Sequence, residues 1–401
     1  MTIHTHALTL LDHQLTELPK KIQFCKNCVV SNQRPRTTFN EQGICSACQW
    51  AYEKDYLIDW QSRHQELTEL CDRHRSNDGS FDVIIPNSGG KDSGYVAHQL
   101  KIHYGMHPLC VTWAPFEYTD IGWKNFQAFI QAGFTNLSCY PDATLHRKLS
   151  RLAFILKGDA WEPFAYGQKA WAFHMAEKFN IQLIMYGENG ELEYGGSEKY
   201  KYLPQESPEE WEKAYYKGAS VDALITQGID LGIFTDTIWQ EPSLKFYKAP
   251  DPQKIIEQKL SMHWFSYYKK WTPQENFYYA AKHTGFRTNP EGRSEGTYTK
   301  YASLDDKADG FHWYLSYMKF GMGRCSRDAQ TDIRRHHITR EEGIRLVKKY
   351  DGEFPARYFQ WFLNYLEIDA DFFWQVMDIY RTRSSVWEQQ QGQWIMTQTV
   401  T

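Results

Sequence analysis

Short apolar runs recur at four places in the chain, and stretches of helical composition separate them. Asp82–Ile85 is a β-branched run closed by Pro86, and Pro108–Trp113, Asn136–Tyr140 and Gln182–Tyr186 are three further runs; each predicts a strand. Tyr95–Ile102, Ile121–Ala132 ended by Gly133, the stretch running through Leu156, and Gly167–Lys178 predict the intervening helices. Strands alternating with helices are the signature of an α/β fold: a parallel sheet covered on both faces, with ligands beyond the carboxyl ends of its strands. Ahead of the first strand, residues 49–80 read as helical, with Trp50, Tyr52, Tyr56, Leu57 and Trp60. Beyond the fourth, residues 200–280 read as helices and loops. One helix there starts at Ser207 or Pro208, with Glu209 and Glu210 in its first turn, and Trp264, Tyr267, Tyr268 and Trp271 form a packed helical face. Ala308–Lys319 is an aromatic helix, interrupted by Gly-Met-Gly before Arg324.

A chain of 401 residues exceeds one minimal domain. The pattern divides it into a small segment at 20–55, a nucleotide-binding unit at 78–240 and a mainly helical region at 241–401. The first twenty residues read as a leader without a chemical signal. The formal charge of −4, without a basic stripe, argues against a sequence-independent nucleic-acid binder. No apolar segment approaches the length of about 18 residues that spans a bilayer. The opening residues also lack the basic region and long apolar core of a secretory signal. The reading is a soluble cytoplasmic protein without a membrane partner.

Three places carry candidate chemistry. Cys25 and Cys28 form one CxxC and Cys45 and Cys48 another, sixteen residues apart. Two such knuckles can set four thiolates about one Zn²⁺, a closed and therefore structural site; the plainer alternative is four reduced thiols. Cys71, Cys110, Cys139 and Cys325 are scattered. Behind the first strand, Ser88, Gly89, Gly90, Lys91, Asp92 and Ser93 form a compact loop opening a helix, an array of N–H groups that favours an anion such as pyrophosphate. The adjacent glycines admit close approach of phosphate, Ser88 and Ser93 donate, Lys91 adds charge, and Asp92 faces a magnesium ion or orients the loop. The spacing is neither a Walker A loop nor a dinucleotide fingerprint. The fourth strand empties into GENGELEYGG, where either Glu188 or Asn189 contacts nucleotide, metal or acceptor, or the three acids are solvated. Finally, Arg324, Arg327, Arg334 and Arg335, with His336 and His337, form a basic cluster. It is suited to bidentate contacts with phosphate or carboxylate, or to structural ion pairs with Asp332.

SGGKDS at 88–93 resembles the pyrophosphate loop of the N-type ATP pyrophosphatases. Together with the paired CxxC segment and its TTFNEQGIC, with YTKYASLDDKADGFHWY, and with ITREEG and KKYDGEFP, it resembles the N-acetyl sugar amidotransferase family over roughly Cys25 to Pro355. The resemblance implies an adenine nucleotide alpha hydrolase-like (Rossmann-like) sheet with a zinc-ribbon-like segment, and ATP, Mg²⁺ and structural Zn²⁺ as cofactors. It implies activation of an acetamido sugar by adenylation and its conversion by ammonia to the acetamidino sugar, in bacterial surface-polysaccharide and nonulosonic-acid synthesis. Lys91, Asp92 and Ser93 take the catalytic positions, the whole loop holds ATP, and Glu188, Asn189, Arg324 and Arg327 fall to the sugar substrate. No G-x-C-x-G glutaminase motif is present, so a separate glutaminase subunit supplies ammonia. The rivals are an ATP-dependent tRNA-thiolating enzyme, a nonenzymatic zinc module, and an enzyme making an ordinary carboxamide.

Overall fold

The computed structural model describes residues 9–211 and 215–401. Its centre is a six-stranded sheet in the order β3-β2-β1-β4-β6-β5. The strands are β1 (Val83–Pro86), β2 (Pro108–Trp113), β3 (Thr135–Cys139), β4 (Leu183–Tyr186), β5 (Gln205–Glu206) and β6 (Ser261–Trp264). All pairings are parallel except that of β5, which runs antiparallel along β6. The α/β class and the four expected strands are therefore present. β5 and β6 arise in the stretch read as helices and loops, and β6 lies past residue 240. Gln205–Glu206 is too short to carry a period, and Ser-Met-His-Trp has no β-branched run. These strands form because β4 offers an open edge. Trp264 accordingly ends a strand rather than standing on a helical face with Trp271.

Side-chain alternation along β1 divides two cores. Ile84 packs with Val111, Trp113 and Ile184 against α5 (Ala143–Lys157) and α6 (Glu162–Phe179). Val83 and Ile85 pack with Leu183 and Met185 against α3 (Lys91–His103), which contributes Val96, Ala97 and Leu100, and α2 (Trp60–His74), which contributes Leu67, Leu70 and Cys71. Both faces are covered, which is why these strands read as near-continuous apolar runs. The helix expected from Ser207 or Pro208 is a 3₁₀ turn over Pro208–Glu210, and its continuation at 212–214 lies outside the described residues, as do residues 1–8 of the leader. The rest of the leader is anchored: buried Asp12 pairs with Lys319 at 2.8 Å.

A third core joins the four cysteines to Phe320, Met322, Ala329 and Ile333. Arg340 ties the two together, donating to the carbonyls of Cys25 and Cys28 at 3.2 Å each. Past β6 the C-terminal region is mainly helical, with an irregular stretch at residues 284–308 and a closing hairpin, Trp387–Gln390 with Gln393–Met396. No helix among the described residues is long and apolar enough to cross a membrane.

Candidate active site

The strand order reverses between β1 and β4, which pair directly through Val83 with Leu183 and Ile84 with Ile184. A crevice opens beyond the strands at such a switch point. The topology thus brings the Ser88–Ser93 loop, which follows β1, beside Glu188, which follows β4. Both line a cavity of about 670 Å³.

Asn87 shapes the loop, its Oδ1 accepting the Gly89 N–H at 2.6 Å. Gly89 sits at φ +86°, and a Cβ there would stand 2.5 Å from the Phe126 Cα on α4 (Asp120–Gln131). Gly90 is the N-cap of α3 and supplies no side chain to it, so the N–H groups of Lys91, Asp92 and Ser93 remain as the helix's leftover donors. Asp92 lies 2.5 Å from the Lys91 Nζ and accepts from Asn276 at 3.0 Å. Ser93 donates to the Gly90 carbonyl at 3.2 Å.

Glu188 is the junction of the cavity. Its Oε2 accepts from the Tyr194 hydroxyl at 2.6 Å and the Trp271 indole at 2.9 Å, and its Oε1 accepts from Arg327 at 3.0 Å. Burial pushes its pKa up; Arg327 pulls against this and the neighbouring Asp92 adds to it. Arg327 also stacks on Tyr194, 3.7 Å from the ring centroid. Burial opposes its charge, but Tyr194 and Glu188 outweigh that and hold its pKa above the ordinary value. Arg324 pairs with Asp328 at 3.2 Å and, like Arg327, lies over Trp313 at 5.0 Å.

Asn189 does not line this cavity. Its Oδ1 caps the short helix α7 (Gly190–Tyr194) by accepting from the Glu191 N–H at 3.0 Å. The other two acids of GENGELEYGG are not solvated. Glu191 takes a two-pronged contact from Arg36 at 2.7 and 2.8 Å, and Glu193 pairs with buried Lys54 at 2.5 Å. The basic cluster also divides. Arg324 and Arg327, at the start of the helix Arg324–Arg334, face the cavity, while Arg334 donates to the Glu193 carbonyl at 2.7 Å and Arg335 to the Trp271 carbonyl at 2.8 Å. Asp332 accepts from Tyr298 at 2.6 Å rather than pairing with either arginine. The helix is held at its N-terminus by Asp351, which accepts from the N–H groups of Gly323 at 3.0 Å and Ser326 at 3.2 Å.

Further residues that the sequence did not single out reach the cavity, Arg34 from within the CxxC segment and Asp305 and His312 from within YTKYASLDDKADGFHWY. Arg34, between the two CxxC pairs, lines it and is drawn down to about 10 by burial. Asp305 lines it too, its carboxyl pushed up by burial and by Asp309, with a Ser88 hydrogen bond pulling the other way. His312 lines it with Nδ1 2.9 Å from the Asp159 carboxylate, which Lys217 also contacts at 2.9 Å. Burial alone would raise Asp159, but His312 and Lys217 hold it well below the usual range.

Cys25, Cys28, Cys45 and Cys48 are buried, and their sulfurs all lie within 4.8 Å of one another. The Cys25–Cys48 and Cys28–Cys45 separations are 3.9 and 3.7 Å. Sulfurs about 2.3 Å from a tetrahedral zinc ion stand roughly 3.8 Å apart, so the cluster is compatible with that metal. The Cys25 sulfur also accepts N–H groups from Asn27 and Cys45, both at 3.3 Å, as metal-binding thiolates do.

Residues 295–401 match the family model described as LPS biosynthesis protein WbpG-like, C-terminal domain. No curated protein matches the chain. Among solved structures, the NH3-dependent NAD synthetase from Campylobacter jejuni subsp. jejuni NCTC 11168, in complex with the nitrate ion, is similar over 50% of this chain and 93% of that chain, at 17% identity and a TM-score of 0.26. The matched segment contains Asp305, His312, Arg324 and Arg327, so one wall of the cavity is built from a region similar to the C-terminal domain of WbpG-like LPS biosynthesis proteins.

Proposed function

We propose that this chain is an ATP-dependent, AMP-forming amidotransferase that converts the acetamido group of an activated sugar to an acetamidino group during the synthesis of bacterial surface polysaccharide. The observation that carries the reading is the meeting, in one cavity, of the uncapped N-terminus of α3 with a wall of arginines and aromatic rings from the WbpG-like region. The first favours phosphate, and the second suits an acceptor that is part anion and part sugar.

In this reading Ser88–Ser93 hold the ATP phosphates, with Lys91 compensating their charge. Asp92, whose side chain remains 39% exposed, offers a hard oxygen to Mg²⁺, which takes one or two carboxylates along with phosphate oxygens and would neutralise charge there. The amide oxygen attacks the α-phosphorus, the bond to the β-phosphate oxygen breaks, and pyrophosphate leaves as the amide nitrogen gives up its proton. Ammonia then adds to the imidate carbon, AMP departs, and a proton is released. AMP is the better leaving group, which is what adenylation contributes. The His312 ring, oriented by Asp159, lines the cavity where that proton must go. Arg324, Arg327 and Glu188 hold the acceptor. The four cysteines bind structural zinc.

A separate glutaminase supplies the ammonia. Support comes from the remaining cysteines: burial pushes Cys71 up to about 12 and Cys139 to about 11, and raises Cys110 and Cys325 as well, so none is an activated nucleophile. The test is a reaction of ATP, Mg²⁺, ammonium and a panel of nucleotide-linked N-acetyl sugars. Expected are AMP, pyrophosphate and a product in which oxygen is replaced by NH, with glutamine inert until a partner is added. Release of ADP and phosphate, or incorporation of sulfur, would refute the reading.

A further inference from the structure

On its α6 side the cavity contains a buried lysine without a hydrogen bond. Lys169 is 5% exposed, and among the described residues its Nζ has no hydrogen-bond partner. Glu206 on β5 stands 3.9 Å away, beyond hydrogen-bond reach. Its Oε2 accepts from the Tyr215 hydroxyl at 3.0 Å, while its Oε1, the atom nearest Lys169, accepts no hydrogen bond from the described residues. The rings of Tyr215, Tyr186 and Trp264 surround the ammonium at 3.8, 4.6 and 4.6 Å. The indole N–H of Trp264 is a third buried polar group without a hydrogen-bond partner among the described residues. Such groups are rare in folded proteins, and three at one place call for an explanation. Burial draws Lys169 down to about 8 and pushes Glu206 up, as expected of two charges that compensate each other poorly.

The pair selects its ligand by charge. An anion meets Glu206 and a cation meets Lys169, which leaves a neutral group able to accept and donate at once. A hydroxyl does both, taking a hydrogen bond from Nζ and giving one to Oε1. The aromatic rings then favour an occupant with an apolar C–H face, which a pyranose has and ammonia or water lacks. We infer that Lys169 and Glu206, walled by Tyr186, Tyr215 and Trp264, form a hydroxyl-binding subsite for the acceptor sugar. The inference rests on the acceptor's being a sugar, as proposed above, and assigns it to residues with no motif in the sequence.

The experiment measures binding of nucleotide-linked N-acetylhexosamines, and separately of ATP, to the full chain and to Lys169→Met and Glu206→Gln. Each substitution is expected to weaken sugar binding about tenfold or more, the loss of one hydrogen bond to a charged group. ATP binding should stay within about twofold of the wild type. Lys169→Met leaves Glu206 buried without its cationic neighbour, so some thermal stability should be lost while ATP binding is kept. Wild-type protein that binds no sugar of the panel overturns the acceptor reading itself. Wild-type binding retained in full by both variants overturns the subsite alone, leaving it a place for water. Loss of ATP binding and of thermal stability together in both variants would assign the pair to the fold instead.

Discussion

The two neighbouring glycines of the loop should respond very unequally to the same substitution. At Gly89 an alanine Cβ meets backbone, with the Phe126 Cα at 2.5 Å and its nitrogen at 2.7 Å, and the residue must also hold φ +86°. The left-handed conformation costs a non-glycine residue about 1–2 kcal/mol. Forcing apart two packed backbones costs about 1–3 kcal/mol more. Gly89→Ala should therefore lose roughly 2–5 kcal/mol of stability, the sum of those two terms, or shift the loop off α4 and displace its N–H groups. Gly90 has an ordinary φ of −72°, and a Cβ there would find only the Ser88 and Ser93 hydroxyls, at 3.4 and 4.0 Å. Gly90→Ala should thus change stability by under about 1 kcal/mol and weaken ATP binding only by crowding the phosphates. Denaturant unfolding and ATP titration of the two variants are the assays. Wild-type stability and ATP affinity in Gly89→Ala, or equal damage from Gly90→Ala, would refute the account of how this loop is held.

Three further outcomes are expected. Asp92→Asn keeps an oxygen for Asn276 but loses the charge, so kcat for AMP formation should fall by about 10², or roughly 2.7 kcal/mol, with sugar affinity little changed; near-full AMP formation would remove Asp92 from the chemistry. Purified protein should contain close to one zinc per chain, and Cys45→Ser should lower both metal content and soluble yield, as metal analysis would show. The folded-state pKa of Lys169, about 8, lies below its unfolded value of 10.5, so between those values the unfolded chain binds more protons and stability rises with pH. That rise between about pH 8 and 10.5 should be absent from Lys169→Met, as denaturant unfolding of both proteins across that range would show.

The central strands were legible because they are buried on both faces: Val83–Ile85 and Leu183–Met185 need no alternation to stand out. The phosphate-loop candidate was legible for a related reason, since a strand, two glycines and a helix start are local features. What was hidden was set by other parts of the chain. Nothing about Gln205–Glu206 announces a strand until β6 presents an edge to it. Arg334 reads as available charge, yet it is committed to the Glu193 carbonyl, a contact spanning much of the chain. Asn189 looks as exposed to function as Glu188, but α7 needs a cap and takes its side chain. Arg34, Lys169, and Asp305 with His312, stand in three separate stretches, and only the folded crevice makes them neighbours.

The cysteine segment shows how far that coupling extends. Between its two CxxC pairs it extends Arg34 to the cavity and Arg36 to Glu191, and the helix that begins at Ser46 adds Lys54 against Glu193. These ion pairs grip α7, which starts two residues after Glu188. On its other side the segment packs on Ala329 and Ile333, in the same helix that aims Arg324 and Arg327 into the cavity. Two walls of the site thus lean on one small element, which packs through Val29, Val30 and Ala47 around its cysteines. Breaking a buried ion pair costs about 3–5 kcal/mol, so Glu191 and Glu193 cannot be released cheaply while the segment holds its shape. Metal at the four cysteines would fix that shape, and with it the position of Glu188 relative to Arg327. Such a metal site, closed to any ligand of the cavity, would still set how the cavity's walls stand to one another.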